Sequence, residues 1–236
     1  MRLTICSDAH TDKSTSGFDR FDDVAQALTQ TVDAAIESKS DAWCFLGDLC
    51  DPEDGYEVVR ANELMVGLMV RLVSHRVRGI LISGNHDVYE NASGRTTLSP
   101  LRWLGGGVQV FEEPGFIMVG DVAFVLLPYS PVSRPYDMVE YLRTLDLGRT
   151  AHASRTGVVL GHATHVEGGR QGEETLEMPR GRAVRLPVEE FPLGWFVANG
   201  HLHTPQTTPS GVHIPGSLAC LTHGESHTPR FLTVEV

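Results

Sequence analysis

The sequence predicts an α/β protein of two packed sheets with helices outside, and three observations carry that prediction. Five apolar runs each stop abruptly at an acid, an amide or an imidazole. The first three of these runs alternate with helical spacing, in the order β-α-β-α-β, which implies parallel strands joined by right-handed crossovers. The final third is strand-rich, with Gly-containing hairpin turns.

Leu3-Thr4-Ile5-Cys6-Ser7 opens the chain and runs into Asp8-Ala9-His10. After a polar loop, Phe21, Val24, Ala25, Leu28, Val32, Ala35 and Ile36 recur at helical spacing behind Asp19, a suitable N-cap. The second strand, Ala42-Trp43-Cys44-Phe45-Leu46-Gly47, ends at Asp48. A second helix follows, with Val58, Val59, Leu64, Met65, Leu68, Met69, Leu72 and Val73 as its apolar stripe. The third strand, Arg78-Gly79-Ile80-Leu81-Ile82-Ser83, delivers Gly84-Asn85-His86-Asp87. Residues 98–104 then suggest a short helix broken by Gly105-Gly106-Gly107, and 116–119 and 122–127 a hairpin across Gly120-Asp121. A third helix is expected over 136–145, followed by Val158-Val159-Leu160-Gly161 into His162 and a long loop over 163–184. Trp195-Phe196-Val197-Ala198-Asn199-Gly200 leads into His201-Leu202-His203, and Pro209-Ser210-Gly211 marks a last hairpin. Without repeat, low-complexity tract or linker, residues 1–236 read as one domain.

Composition narrows the functional classes. With 41 % hydrophobic and 21 % charged residues, the chain has an ordinary globular balance. No apolar run reaches the roughly 18 residues of a membrane span, and the N-terminus enters a strand directly, so a cytoplasmic protein is expected. The four cysteines form no C-x-x-C pair and read as small buried hydrophobes. A net charge of −11, from 30 acidic and 19 basic residues, argues against a standalone binder of long duplex DNA.

Any one Gly-Asp or Gly-His after a strand is an ordinary turn. Seven such residues, Asp8, His10, Asp48, Asn85, His162, His201 and His203, all fall at strand ends, where open α/β sheets place their ligands. Two cations about 3.5–4 Å apart need a shared carboxylate, with oxygen and nitrogen donors on either side. Asp48, on the middle strand, is the residue placed to be shared. Imidazole, carboxylate and amide without thiolate suit two divalent ions, Mn²⁺ first with Fe or Zn²⁺ as alternatives, and carry too many imidazoles for Ca²⁺.

The ordered set D-x-H, G-D, G-N-H-D, G-H, G-H-x-H resembles the calcineurin-like metallophosphoesterases. That resemblance implies a four-layer α/β/β/α sandwich of two mixed sheets flanked by helices. It implies one metal on Asp8, His10, Asp48 and His203, and a second on Asp48, Asn85, His162 and His201. His86 would be the non-ligand histidine that touches phosphate and assists the leaving group, with Asp87 orienting its imidazole. Within that superfamily the chain is most similar to the SbcD nucleases, through Phe21-Asp22-Asp23, Gly47-Asp48-Leu49-Cys50-Asp51, Phe191-Pro192 and Ile214-Pro215-Gly216-Ser217-Leu218.

Two departures qualify the likeness. SbcD proteins continue into a capping region and segments that dock an ATPase partner, whereas this sequence closes on a strand over 231–236. Asp51 also stands where archaeal and eukaryotic counterparts carry a histidine important for nuclease action. The expected activity is therefore hydrolysis of small phosphodiesters such as cyclic nucleotides, by in-line attack of a metal-bridging hydroxide. An SbcD-like exo/endonuclease, completed by a partner chain, and a catalytically silent interaction module are the alternatives. Neither an ATPase partner nor a homodimer is implied by the residues. His165, close after His162, is a candidate for substrate contact, and Arg170, Arg180, Arg182 and Arg185 are candidates for a phosphate clamp.

Overall fold

The computed structural model describes residues 1–53, 55–89, 95–131, 135–145, 147, 156–170 and 184–236. β1 (Arg2–Cys6) leads through a small hairpin, β2 (Ser14–Thr15) and β3 (Phe18–Asp19), into α1 (Phe21–Glu37). β4 (Ala42–Phe45), α2 (Gly55–Ser74), β5 (Arg78–Ile82) and β6 (Val108–Phe111) complete the first half. β7 (Gly115–Val119), β8 (Val122–Leu127), α3 (Met138–Thr144), β9 (Thr156–Gly161) and β10 (Phe196–Asn199) follow. The chain ends with β11 (Gln206–Thr207), β12 (Val212–Ile214) and β13 (Leu232–Glu235).

Two mixed sheets result. One has the order β13-β1-β4-β5-β6, the other β11-β12-β10-β9-β8-β7. Within each, the inner strands are parallel, while β13, β7 and β11 are antiparallel to their neighbours. Because side chains alternate along a strand, one sheet serves two cores. Leu3, Ile5, Cys44, Ile80 and Ile82 face Phe124, Leu126, Val158, Leu160 and Ala198 across the gap between the sheets. Trp43, Phe45 and Leu81 turn outward onto Val24, Leu28, Met65, Met69 and Leu72 of α1 and α2. The outer face of the second sheet packs on Met138 and Leu142 of α3. The layers are therefore α/β/β/α, as expected.

Several elements differ in detail from the sequence expectation. Asp19 accepts a hydrogen bond from Phe21 N at 2.8 Å, but Arg20 occupies the N-cap of α1. Val59 faces solvent, so the core stripe of α2 runs through Val58, Ala61, Met65, Leu68, Met69 and Leu72. Residues Ser99–Leu104 form a 3₁₀ helix stopped by Gly105 at φ +58°. α3 begins later than expected because Asp137 caps it, accepting from Val139 N at 2.8 Å and Glu140 N at 3.0 Å.

The Phe124 ring is fully buried between the sheets. Phe124→Ala should cost about 3–5 kcal/mol, as a cavity in a dense core does, read from the urea midpoint at unchanged slope. A loss under about 1 kcal/mol would show that the two sheets can close over the gap.

Candidate metal centre

Every candidate ligand sits just past the C-terminal end of a strand, and the two sheets bring these ends to one edge. Asp8 and His10 follow β1, Asp48 follows β4, Asn85 follows β5, His162 follows β9, and His201 and His203 follow β10. The turns that hold them are tight enough to force unusual backbone. Asp8, His10, Asp48 and His201 have φ of 53°, 48°, 60° and 71°, a left-handed region that costs a non-glycine residue about 1–2 kcal/mol. Such strain persists where the surroundings over-determine it. Here Asp8 N donates to Gly47 O at 3.0 Å, while Ala9 N and His10 N both donate to Asp48 O at 2.9 and 3.0 Å.

The donor atoms converge on two neighbouring points. Asp8, His10 and His203 form one group and Asp48, His162 and His201 another, with the donor atoms of each group within 4.8 Å of one another. In the first, His10 Nε2 and His203 Nε2 are 3.1 Å apart. In the second, Asn85 Oδ1 lies 3.1 Å from His162 Nε2 and 2.9 Å from His201 Nδ1. Asp48 Oδ2, a member of the second group, also approaches the first, lying 3.3 Å from His162 Nε2 and 3.7 Å from His10 Nε2. A carboxylate so placed is within reach of both groups.

The chemistry of this donor set fits divalent cations. Asp8 Oδ2 is buried without a hydrogen-bond partner among the described residues, an arrangement that water-free packing does not tolerate for a carboxylate. Burial, reinforced by the neighbouring His86, holds His10 well below the usual imidazole range. Burial and the nearby His162 pull His201 down to about 3. Both rings are therefore neutral and present lone pairs, the form that ligates a metal. Burial opposes a charged His162, but Asp48 outweighs it and raises that ring to about 9. His162 Nδ1 donates to the Leu46 carbonyl, so its Nε2 is the nitrogen left to face Asp48 and Asn85.

His86 and Asp87 behave differently from the expected pair. Asp87 does not orient the His86 ring. It is fully buried beneath the site, where Oδ2 accepts from Asp48 N and Gly84 N, each at 2.8 Å. Its Oδ1 accepts from Leu49 N at 2.9 Å and Thr97 Oγ1 at 2.7 Å. With both oxygens engaged by these donors, Asp87 is a scaffold for the turns that carry Asp48 and Asn85. The His86 partner is Asp51, whose Oδ1 lies 3.1 Å from His86 Nδ1 while its Oδ2 lies 3.3 Å from Lys13 Nζ. Burial disfavours a charged His86, yet Asp48 and Asp51 together hold it up at about 9. The backbone N–H of His86 donates to Asp48 Oδ1 at 2.8 Å, fixing the ring beside the Asp48 carboxylate.

The other candidates lie further out or beyond description. His165 is exposed, and its backbone pairs with Arg185. Arg185 is engaged by Glu167 and Glu189 at 2.9 and 2.6 Å. Arg170 is exposed, with its backbone N donating to Gln206 Oε1 at 2.7 Å. Arg180 and Arg182 lie outside the described residues. Sequence reasoning missed Asp51 as the histidine's partner, although its closeness to Asp48 offered a signal. It also missed Glu225, whose Oε1 accepts a hydrogen bond from His203 Nδ1 at 2.7 Å.

The fold thus gathers two adjoining groups of candidate metal ligands at one edge of its sheets. Residues 1–205 match the calcineurin-like phosphoesterase family, and the chain belongs to it. It is similar to the SbcD component of nuclease SbcCD from Staphylococcus epidermidis, with 22 % identity over 223 residues. That alignment covers 87 % of this chain but 57 % of the relative, so the chain spans little more than half the length of that protein. A dimetal phosphatase from Danio rerio shares the fold at a TM-score of 0.62 and 15 % identity, over 99 % of this chain and 91 % of the other. Among the described residues, no helix is long and apolar enough to cross a membrane.

Gly84 shows how closely the site is fitted. A Cβ on it would fall 2.1 Å from Asp48 Oδ1 and 2.6 Å from His162 Cε1. Gly84→Ala should displace the Asp48 carboxylate and leave the purified protein unable to retain divalent metal through gel filtration, measured by elemental analysis. Retention at the wild-type level would show that Asp48 has room to move.

Proposed function

We propose that this chain is a dinuclear-metal-dependent phosphodiesterase acting on small nucleotide-type substrates such as cyclic nucleotides. The single observation that carries the reading is Asp48 Oδ2 standing between the two donor groups, 3.3 Å from His162 Nε2 and 3.7 Å from His10 Nε2. Asp8, His10, Asp48 and His203 would hold one cation, and Asp48, Asn85, His162 and His201 the other. The donor set favours Mn²⁺, with Fe or Zn²⁺ as alternatives. Two such cations supply an activated water at neutral pH and neutralise charge that develops on the phosphoryl oxygens.

The protein's own groups supply position and a proton. Asp87 holds the Asp48 and Asn85 turns in register through three backbone N–H groups. His86 is the residue proposed to meet the leaving oxygen. With Nδ1 set on Asp51, Nε2 is the nitrogen available to substrate, and a proton there eases departure of an alkoxide by a typical factor of about 10²–10⁴. The acidic total of −11 supports a small substrate over long duplex DNA. The four cysteines, all free, support a reducing, cytoplasmic setting.

A nuclease is the second reading, favoured by the likeness to a component of SbcCD, and under it a partner chain would complete the activity. One set of assays separates the two. Bis-p-nitrophenyl phosphate, 2′,3′- and 3′,5′-cyclic nucleotides, p-nitrophenyl phosphate and linear duplex DNA are each offered with Mn²⁺ across a salt series. Turnover of a cyclic nucleotide with shallow salt dependence, abolished by EDTA, is expected. No turnover of either cyclic nucleotide, or degradation of duplex with the steep salt dependence of counterion release, would overturn the small-substrate reading in favour of the nuclease. In the same assays, His86→Gln should leave metal content intact and slow a nucleotide ester far more than a nitrophenyl ester, whose leaving group departs unaided. Equal losses on both would rule His86 out as the acid.

A further inference from the structure

A ligating imidazole needs its second nitrogen anchored, because the anchor decides which nitrogen carries the proton and how the ring is turned. His162 takes its anchor from a strand carbonyl, that of Leu46. His203 takes its anchor from a side chain 22 residues further on, with Nδ1 donating to Glu225 Oε1 at 2.7 Å. Glu225 lies beyond residues 1–205 that match the family. Its side chain is only 4 % exposed, although its neighbours Gly224 and Ser226 are at the surface. The second oxygen, Oε2, accepts the backbone N–H of Leu221, which closes the 221–225 turn over the ring.

The turn is itself braced. Thr15 Oγ1 donates to Leu221 O at 2.7 Å, and Ser16 Oγ lies 2.8 Å from His223 Nε2. Underneath, Ser217 N donates to His203 O at 3.0 Å. We propose that Glu225 is the positioning residue of the Asp8–His10–His203 group, holding His203 with a proton on Nδ1 and its Nε2 lone pair facing His10. The inference rests on the dinuclear reading above and adds to it a residue from outside the family match. A carboxylate is specifically required, because Glu225 accepts from two donors at once and a glutamine can accept from only one of them. Cys220 and His227 also approach Glu225 closely enough to suggest a third cation group. Both Glu225 oxygens are already accepting, however, and Cys220 Sγ donates to His227 O at 3.2 Å. The carboxylate is thus assigned to His203.

The test is Mn²⁺ binding by the full chain, followed through the electron paramagnetic resonance of free Mn²⁺, for wild type, Glu225→Ala, Glu225→Gln, His203→Ala and the double variant His203→Ala/Glu225→Ala. Wild type should bind two ions. Glu225→Ala should weaken one of them about 10–100-fold, and Glu225→Gln should weaken the same ion by less. If Glu225 acts through His203, the double variant binds Mn²⁺ as His203→Ala does, because the two losses share one interaction. Melting curves for each variant report whether it folds; should Glu225→Ala fail to fold, the near-isosteric Glu225→Gln decides. Two ions bound at wild-type affinity in the folded Glu225 variants would overturn the proposal while leaving the dinuclear reading intact. So would a loss on Glu225→Ala that adds in full to that of His203→Ala. A wild-type protein that binds no Mn²⁺ would overturn both.

Discussion

A single buried carboxylate, that of Asp87, sets the shape of the candidate metal centre. It gathers the N–H groups of Asp48, Leu49 and Gly84 and the hydroxyl of Thr97, so the turns after two neighbouring parallel strands are fixed to one point. Asp48 can then sit in a left-handed conformation with its side chain aimed between the two donor groups. A carboxylate with several amide donors around it is a rigid and strongly bound anchor. Burial and the neighbouring Asp48 push its proton affinity up. The donors around it are what make an anion acceptable at that depth.

The candidate ligands are divided between the sheets in a particular way. Asp8, His10, Asp48 and Asn85 come from the sheet containing β1, β4 and β5, whereas His162, His201 and His203 come from the sheet containing β9 and β10. Each donor group mixes the two sources. Below the centre the sheets are joined by an apolar layer that includes Ile5, Leu46, Ile82, Leu126 and Leu160. At the edge itself that layer gives way to polar ligands, and the cross-sheet bonds of His162 to Leu46 O and of His201 N to Asp8 Oδ1 take over.

The strand ends were legible because each couples two local signals, an apolar run and a residue of metal-ligand type immediately after it. Asp48 was expected as the shared ligand because strand order places it centrally, and its Oδ2 lies 3.3 Å from His162 Nε2 and 3.7 Å from His10 Nε2. The partner of His86 was not legible in the same way. Asp87 is adjacent in sequence, but the 3₁₀ turn over Asn85–Asp87 sends its side chain down toward Gly84 N, while Asp51 reaches His86 from another loop. Glu225 was invisible for a related reason. Nothing in the local string Thr222-His223-Gly224-Glu225-Ser226 marks a ligand partner, and its meaning depends wholly on where the chain folds back over His203.

The left-handed backbone at Asp8, His10, Asp48 and His201 has a consequence for the stability of the whole molecule. At about 1–2 kcal/mol each, these four residues carry strain comparable with much of the net stability of a typical domain. Cations that bind only the folded arrangement would offset that strain by mass action, in proportion to the logarithm of their free concentration. The midpoint of unfolding would then follow the divalent-ion supply. A cell short of that metal would lose folded protein to its proteases as well as losing turnover, so abundance itself would report metal status.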